Sequence, residues 1–241
     1  MEPRVAIVTG AGGDLGRAIT ERLLKAGHHI VALWRQHRNG LDALQNEYGA
    51  RLFLIRGDVR KEETARNLAR TAVHRFGRLD VLVANAGTAK DRPLVLMTEG
   101  EWDEVLETNL KGSFFLTKYA LRPMMKRKFG RIIYVSSIAA RMGNAGQANY
   151  AASKAGLEGL ARSVAQEYAR FGVRTAVIAP GLIEGGLALR TPTEVQREKL
   201  ARVLLGAGKV EDVANLAAFL SSSQADYINA VTLPIDGGIH F

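Results

Sequence analysis

Arg4-Val-Ala-Ile-Val8-Thr9-Gly10-Ala11-Gly12-Gly13-Asp14-Leu15-Gly16 is the stretch from which the fold is read. Its apolar, mostly β-branched run predicts a strand buried on both faces, as in a parallel sheet. The glycines then break the chain into a tight turn. From Arg17 to Lys25 apolar residues return at helical spacing. Strand, glycine turn and helix in that order present backbone N–H groups at a helix start, where the helix dipole favours phosphate. This is the entry to a dinucleotide-binding α/β fold. The spacing is T-G-x-x-x-D-x-G rather than G-x-G-x-x-G. Asp14 suits a helix N-cap, but a carboxylate in such a turn also repels a dianionic ligand.

Working outward, strand-like runs recur at His29–Trp34, Arg51–Ile55, Leu79–Ala84, Arg131–Ser137, Val173–Ile178 and Val231–Ile235. Pro234 in the last run predicts an edge strand, because proline cannot donate to a ladder. Helical patterns fall between them, at Leu41–Tyr48, Glu62–Arg75, Thr98 to about Leu121, a helix carrying Tyr150, and Val213–Leu220. Thr98 and Glu101 form a capping box. Thr191, Pro192 and Glu194 supply a cap, a proline at the first helical position and a glutamate at the third, predicting a helix to Leu205. Strands alternating with helices predict a Rossmann-like, doubly wound α/β fold. Its parallel sheet has about seven strands, helices on both faces and ligands at the carboxyl ends of the strands. We expect one domain over 1–241, with a small helical lid at about 182–206 hinged at Gly185-Gly186. Asn109 and Gly112 sit inside a helix and are locally unfavourable there, which predicts a bent or functional segment.

The 241 residues are 47% hydrophobic, sufficient for one sizeable core. There is no cysteine, and the five histidines are not spaced as metal ligands, so neither thiolate nor metal chemistry is expected. No apolar run approaches the ~18 residues of a membrane span, and a cytoplasmic enzyme is expected. The net charge of +9 favours polyanionic ligands, yet the basic residues are dispersed apart from Lys126-Arg127-Lys128, so nucleic acid is not expected.

Two groups of residues point to chemistry. At the end of the second strand, where Asp or Glu would read a ribose 2′-hydroxyl, stand Trp34 and Arg35. Arg35, aided by Arg38, suits a 2′-phosphate, so NADP(H) is favoured over NAD(H). Gly57-Asp58-Val59 falls where adenine would lie. In Tyr150-Ala-Ala-Ser-Lys154 the phenol and ammonium share a helix face. At an effective dielectric of ~20, an ammonium ~4 Å away stabilises a phenolate by about 4 kcal/mol, roughly 3 pKa units. That would bring the phenol to about neutrality, where acid–base catalysis works best.

With these segments placed, the chain resembles the short-chain dehydrogenase/reductase family over essentially its whole length, most closely its 3-oxoacyl-[acyl-carrier-protein] reductase branch. The resemblance is carried by Asn109-Leu-Lys-Gly112, Gly130-Arg-Ile-Ile-Tyr-Val-Ser-Ser137, Met142 to Gly156 and Ala179-Pro180-Gly181. It implies that Tyr150 passes a proton, Ser137 binds the substrate carbonyl, Lys154 acidifies the phenol and binds the nicotinamide ribose, and Asn109 holds a water leading to Lys154. It implies cofactor contacts at Gly10, Gly12, Gly13, Asp14, Leu15, Gly16, Trp34, Arg35, Asp58, Val59, Asn85, Ala86, Gly87, Tyr150, Lys154, Pro180, Gly181 and Ile183, and no metal. The chain departs from the family pattern at Asp14, Ala84, Ala176, Gly185 and Asn229-Ala230.

The implied activity is NADPH-dependent reduction of a 3-oxoacyl thioester. Its substrate is small or carrier-bound, with Lys126-Arg127-Lys128, Arg170 and Arg174 as contacts for an acidic acyl carrier protein. A ketone or polyol dehydrogenase, and a non-catalytic partner subunit, are the alternatives. The family also implies a homotetramer, and Ala151, Ala152, Ala155, Gly156, Gly159 and Ala161 suit close helix contact.

Overall fold

The computed structural model describes residues 3–185, 194 and 200–239. Among these, strands β1 (Val5–Thr9), β2 (His29–Trp34), β3 (Leu52–Arg56), β4 (Val81–Ala84), β5 (Gly130–Val135), β6 (Val173–Pro180) and β7 (Val231–Ile235) form one sheet in the order 3-2-1-4-5-6-7. Every pairing is parallel. The central strands are buried along their whole length, which is why they read as unbroken apolar runs. β7, with Pro234, lies at the edge as its proline predicts.

Helices α1 (Asp14–Lys25), α2 (Leu41–Tyr48) and α8 (Val210–Ser221) cover one face, over a core that includes Ile19, Leu23, Ile133 and Ala217. α3 (Glu62–Phe76), α5 (Gly112–Arg127) and α7 (Ala148–Tyr168) cover the other, around Leu68, Leu82, Tyr134 and Leu157. α4 (Glu99–Leu106) packs on α7, and α6 (Ala139–Met142) is a single short turn. The strand order reverses between β1 and β4, and a crevice opens at their carboxyl ends.

The helix predicted from Thr98 to about Leu121 is three segments. α4 starts at the capping box of Thr98 and Glu101, a π-helical turn occupies Glu107–Lys111, and α5 continues. The π turn is the irregularity that Asn109 and Gly112 signal. α5 also runs past the predicted end, through Pro123 to Arg127, where Lys128 closes it in the left-handed conformation. Met124, fully buried, anchors this last turn. Of the helix predicted over Thr191–Leu205, Glu194 and Leu200 are described and helical, while 191–193 and 195–199, like much of the lid, lie outside the described residues. Its described end, Ala201–Leu205, is turn with a bridge from Val203 to Ile239, not helix. No described helix is long and apolar enough to cross a membrane.

Candidate active site

The glycine turn is stitched to the end of β4. Thr9, fully buried, accepts at Oγ1 from the backbone N–H groups of Asn85 and Ala86, both at 3.1 Å. The Asn85 amide donates back to the Thr9 carbonyl at 2.9 Å. Gly10, at φ +68, has no room for a side chain: a Cβ would lie 2.9 Å from Asn85 Nδ2. At Gly13, by contrast, a Cβ would meet only the Gly10 carbonyl, at 3.6 Å, so this backbone faces open space. Gly13 is the N-cap of α1 and makes no side-chain cap. Asp14 is therefore the first helical residue and not the cap that the sequence suggests. Its carboxylate faces Gly185, where a Cβ would lie 3.2 Å from Oδ2. Gly185 has φ +94, so a threonine there would be strained as well as crowded. Two departures from the family pattern thus meet across the crevice.

α7 delivers Tyr150 and Lys154 from the other side. Its start is fixed by buried Asn149, whose amide donates to the carbonyls of Lys90 (3.1 Å) and Glu101 (3.2 Å) while Oδ1 accepts from the Tyr150 N–H (2.7 Å). One helical turn later Lys154 is 4% exposed; its Nζ donates to the Val135 carbonyl at 2.8 Å and lies 5.6 Å from the Tyr150 ring centroid. Between them Ser153 donates to the Tyr150 carbonyl at 2.8 Å and accepts from Asn109 at 2.9 Å. The rest of the Asn109 amide is tied to the backbone of Thr88, at 2.8 and 3.0 Å. Asn109 is fully buried behind the cleft, and its amide ties α7 to the Gly87–Thr88 strand exit. A Cβ on Gly87 would sit 3.3 Å from Asn109 Oδ1 and 3.4 Å from Lys154 Nζ. β5 leads into Ser136, whose hydroxyl donates to the Lys154 carbonyl at 3.0 Å, and Ser137, whose Oγ accepts from the Ala139 N–H at 3.2 Å and whose hydroxyl draws the Tyr150 phenol down.

The electrostatics differ from the expected near-neutral phenol. Burial pushes the Tyr150 hydroxyl up to about 12; the Ser137 hydrogen bond draws it back in part, and the Asp91 carboxylate adds to the rise. Burial also lowers Lys154 to about 8. Loss of water disfavours both charged forms, and it outweighs an attraction spread over the 5.6 Å to the ring and shared with the Val135 carbonyl.

These residues line a cleft of about 760 Å³ that runs from Trp34, Arg35 and Asp58 past the glycine turn to Ser137, Tyr150 and Lys154. All the expected cofactor contacts, including Leu15, Val59, Ala86, Pro180, Gly181 and Ile183, face it. Thr88, Lys90, Glu104, Thr108 and Val210 line it too. Sequence reading misses them, because they reach the cleft from the loop after β4, from α4, from the turn at Glu107–Lys111 and from the start of α8, segments that only the tertiary fold brings together. Two expected phosphate readers are already engaged: Arg35 lies 3.7 Å from Asp58, and Arg38 pairs with Asp42. Lys126-Arg127-Lys128 ends α5 and Arg174 starts β6, so these proposed carrier contacts lie at the amino end of the sheet, about 20 Å of strand from the cleft. Among the described residues no cluster of His, Asp or Glu is placed to hold a metal ion.

The family described as Enoyl-(Acyl carrier protein) reductase matches residues 10–240. With this fold and cleft, the chain belongs to the short-chain dehydrogenase/reductase family and is an NAD(P)-dependent oxidoreductase acting on a carbonyl–alcohol pair. It is 38% identical to the 3-oxoacyl-[acyl-carrier-protein] reductase FabG of Escherichia coli (strain K12), over 99% of this chain and 98% of the relative. It is 36% identical to FabG of Staphylococcus aureus (strain Mu50 / ATCC 700699), over 98% and 97%. A crystal structure from Sinorhizobium meliloti 1021, provisionally assigned as a short-chain alcohol dehydrogenase, superposes with a TM-score of 0.92 at 34% identity, covering 99% of this chain and 96% of that one.

Proposed function

We propose that this protein reduces a 3-oxoacyl thioester, carried on acyl carrier protein or coenzyme A, to the 3-hydroxyacyl thioester with NADPH. The observation that carries the reading is the convergence in one cleft of the Ser137 hydroxyl after β5 with the Tyr150 phenol and buried Lys154 of α7, the ammonium 5.6 Å from the phenol ring. Likeness to the FabG proteins over nearly all of their length supports the substrate class. The cleft fits a dinucleotide in volume, and the open backbone at Gly13 fits its pyrophosphate. Gly10 to Gly16 would hold the pyrophosphate, Asp58 and Val59 the adenine, and Lys154 the nicotinamide ribose. Bound there, the reduced nicotinamide supplies a hydride to the carbonyl carbon.

The protein's own part is proton delivery and charge stabilisation. Ser137 and Tyr150 donate hydrogen bonds to the ketone oxygen, and these strengthen as negative charge builds there. Tyr150 then gives its proton to that oxygen, turning C=O into CH–OH. A phenol pushed up to about 12 is protonated at neutral pH, the form that donates in the reduction direction. Lys154 remains the nearest cation to the phenolate left behind. On this reading residues 1–241 act as one cytoplasmic domain with a lid at about 182–206, assembled as a homotetramer.

The test is a panel of acetoacetyl-CoA, simple ketones and polyols with NADPH and NADH, run on the parent protein and Tyr150→Phe. The expected result is NADPH-dependent turnover of acetoacetyl-CoA that falls by at least 100-fold in Tyr150→Phe. Preference for a simple ketone or polyol moves the assignment within the family. Failure to bind or oxidise NADPH with any ketone makes the chain a non-catalytic partner subunit.

A further inference from the structure

The adenosine end of the cleft carries a cation that sequence reading passes over. Arg56 is the last residue of β3 and pairs in register with Trp34, the last residue of β2. Paired residues on neighbouring parallel strands project to the same face. Accordingly the Arg56 guanidinium lies 5.4 Å from the Trp34 ring, and Arg38 lies 5.5 Å from it. Trp34 stands where an acid would read a ribose hydroxyl; here its ring is a platform for two guanidinium groups.

The cations around this platform are not equivalent. Arg60 is bidentate on Asp58, with contacts of 2.6 to 3.1 Å, and Arg35 shares the same carboxylate at 3.7 Å. Arg38 pairs with Asp42. Arg56 donates to the Arg35 carbonyl at 3.2 Å and, among the described residues, pairs with no carboxylate. It also faces a side bay of about 550 Å³, which shares Arg35, Gln36, Gly57, Asp58 and Glu104 with the main cleft. A guanidinium held against an indole and to a backbone carbonyl, with no carboxylate partner among the described residues and an open bay beside it, is organised for a phosphate.

We infer that Arg56, rather than Arg35 or Arg38, is the main specificity determinant for the cofactor's 2′-phosphate. This rests on the NADPH reading above and replaces the residues from which that reading starts. Asp58 engages Arg60 closely and Arg35 at 3.7 Å, while Arg38 pairs with Asp42 and lies against the Trp34 ring.

Binding measurements on the purified full chain test it without any turnover. NADPH and NADH, and their fragments adenosine 2′,5′-bisphosphate and 5′-AMP, are titrated against the parent, Arg56→Met, Arg56→Lys and Arg35→Met. Methionine keeps a flexible apolar stem on the indole and removes the charge. Arg56→Met should lose about tenfold to a hundredfold in affinity for NADPH and the bisphosphate, with NADH and 5′-AMP within about twofold of the parent. Arg56→Lys should recover part of the loss, Arg35→Met should change it less, and the parent's preference should shrink with added salt. A parent that prefers NADPH while Arg56→Met keeps that preference overturns the assignment. So does an equal loss for both cofactors, which marks a structural role. A parent with no preference for NADPH over NADH overturns the cofactor reading itself, and this inference with it.

Discussion

The most exposed test of the site at the residue scale is Lys154. Burial holds its ammonium at about 8 against an ordinary 10.5, so keeping it charged in the folded protein at pH 7 costs about 3 kcal/mol. Below pH 8 both folded and unfolded chains carry the proton and the cost is whole. Between 8 and 10.5 the folded chain releases the proton first, and the cost fades. Lys154→Met should therefore be inactive yet more stable than the parent at pH 7, by about 2 kcal/mol once the Val135 carbonyl left without its donor is counted. The gain should vanish by pH 10.5; urea titrations at pH 7, 9 and 10.5 follow it. Asp14 is the second test. A carboxylate on the first residue of α1, beside the open Gly13 backbone, opposes a pyrophosphate by order 1 kcal/mol. Asp14→Gly should tighten NADPH binding about fivefold, and unchanged or weaker affinity in an NADPH fluorescence titration rejects this account.

Among elements, the π turn at Glu107–Lys111 connects the site to its scaffold. It aims Asn109 at Thr88 and Ser153, and so ties the exit of β4 to the helix bearing Tyr150 and Lys154. Asn109→Ala leaves buried partners on both without their bonds, and should cost about 2 to 3 kcal/mol of stability in urea and lower kcat more than it raises KM. Equal stability and kcat would make the π turn incidental. The strands were legible in the sequence: β2, buried along its middle, has the bounds its apolar run predicts, and so does the half-exposed edge strand β7. The irregular turn was legible as a conflict at Asn109 and Gly112, though not its π geometry, which depends on Thr88 and Ser153 lying far along the chain. The helix expected to end at about Leu121 continues through Pro123 to Arg127, where buried Met124 rewards continuation although proline removes a backbone donor. Likewise the motif located Tyr150 and Lys154, whereas the pKa values depend on water exclusion by neighbours. The Arg38–Asp42 pair, four residues apart on one chain, was open to sequence reading; the Arg35–Asp58 contact between strand ends was not.

For the whole molecule the open question is what covers the outer face of α5 and α7. Small residues on α7 divide into two sets. Gly156 turns inward, where a Cβ would meet Leu110 at 2.7 Å, and Ala161 is buried in the core. Ala152 and Ala155 are exposed, and Gly159 has no atom within 4 Å of its Cβ position. Spaced three and four residues apart, these last three make one stripe on the solvent side. Phe114 on α5 is also exposed, at 45%, an aromatic ring left for a partner to cover. A second copy packing α5 and α7 against the same helices would bury this surface by an isologous four-helix contact, in which each substitution occurs twice. Ala155→Arg would then bring two long charged side chains into a close backbone approach. Light scattering after size-exclusion chromatography should show about four chains per particle for the parent and a smaller species for Ala155→Arg, with an unchanged far-UV circular dichroism spectrum. A variant that keeps the parent's mass places the subunit contact elsewhere on the surface.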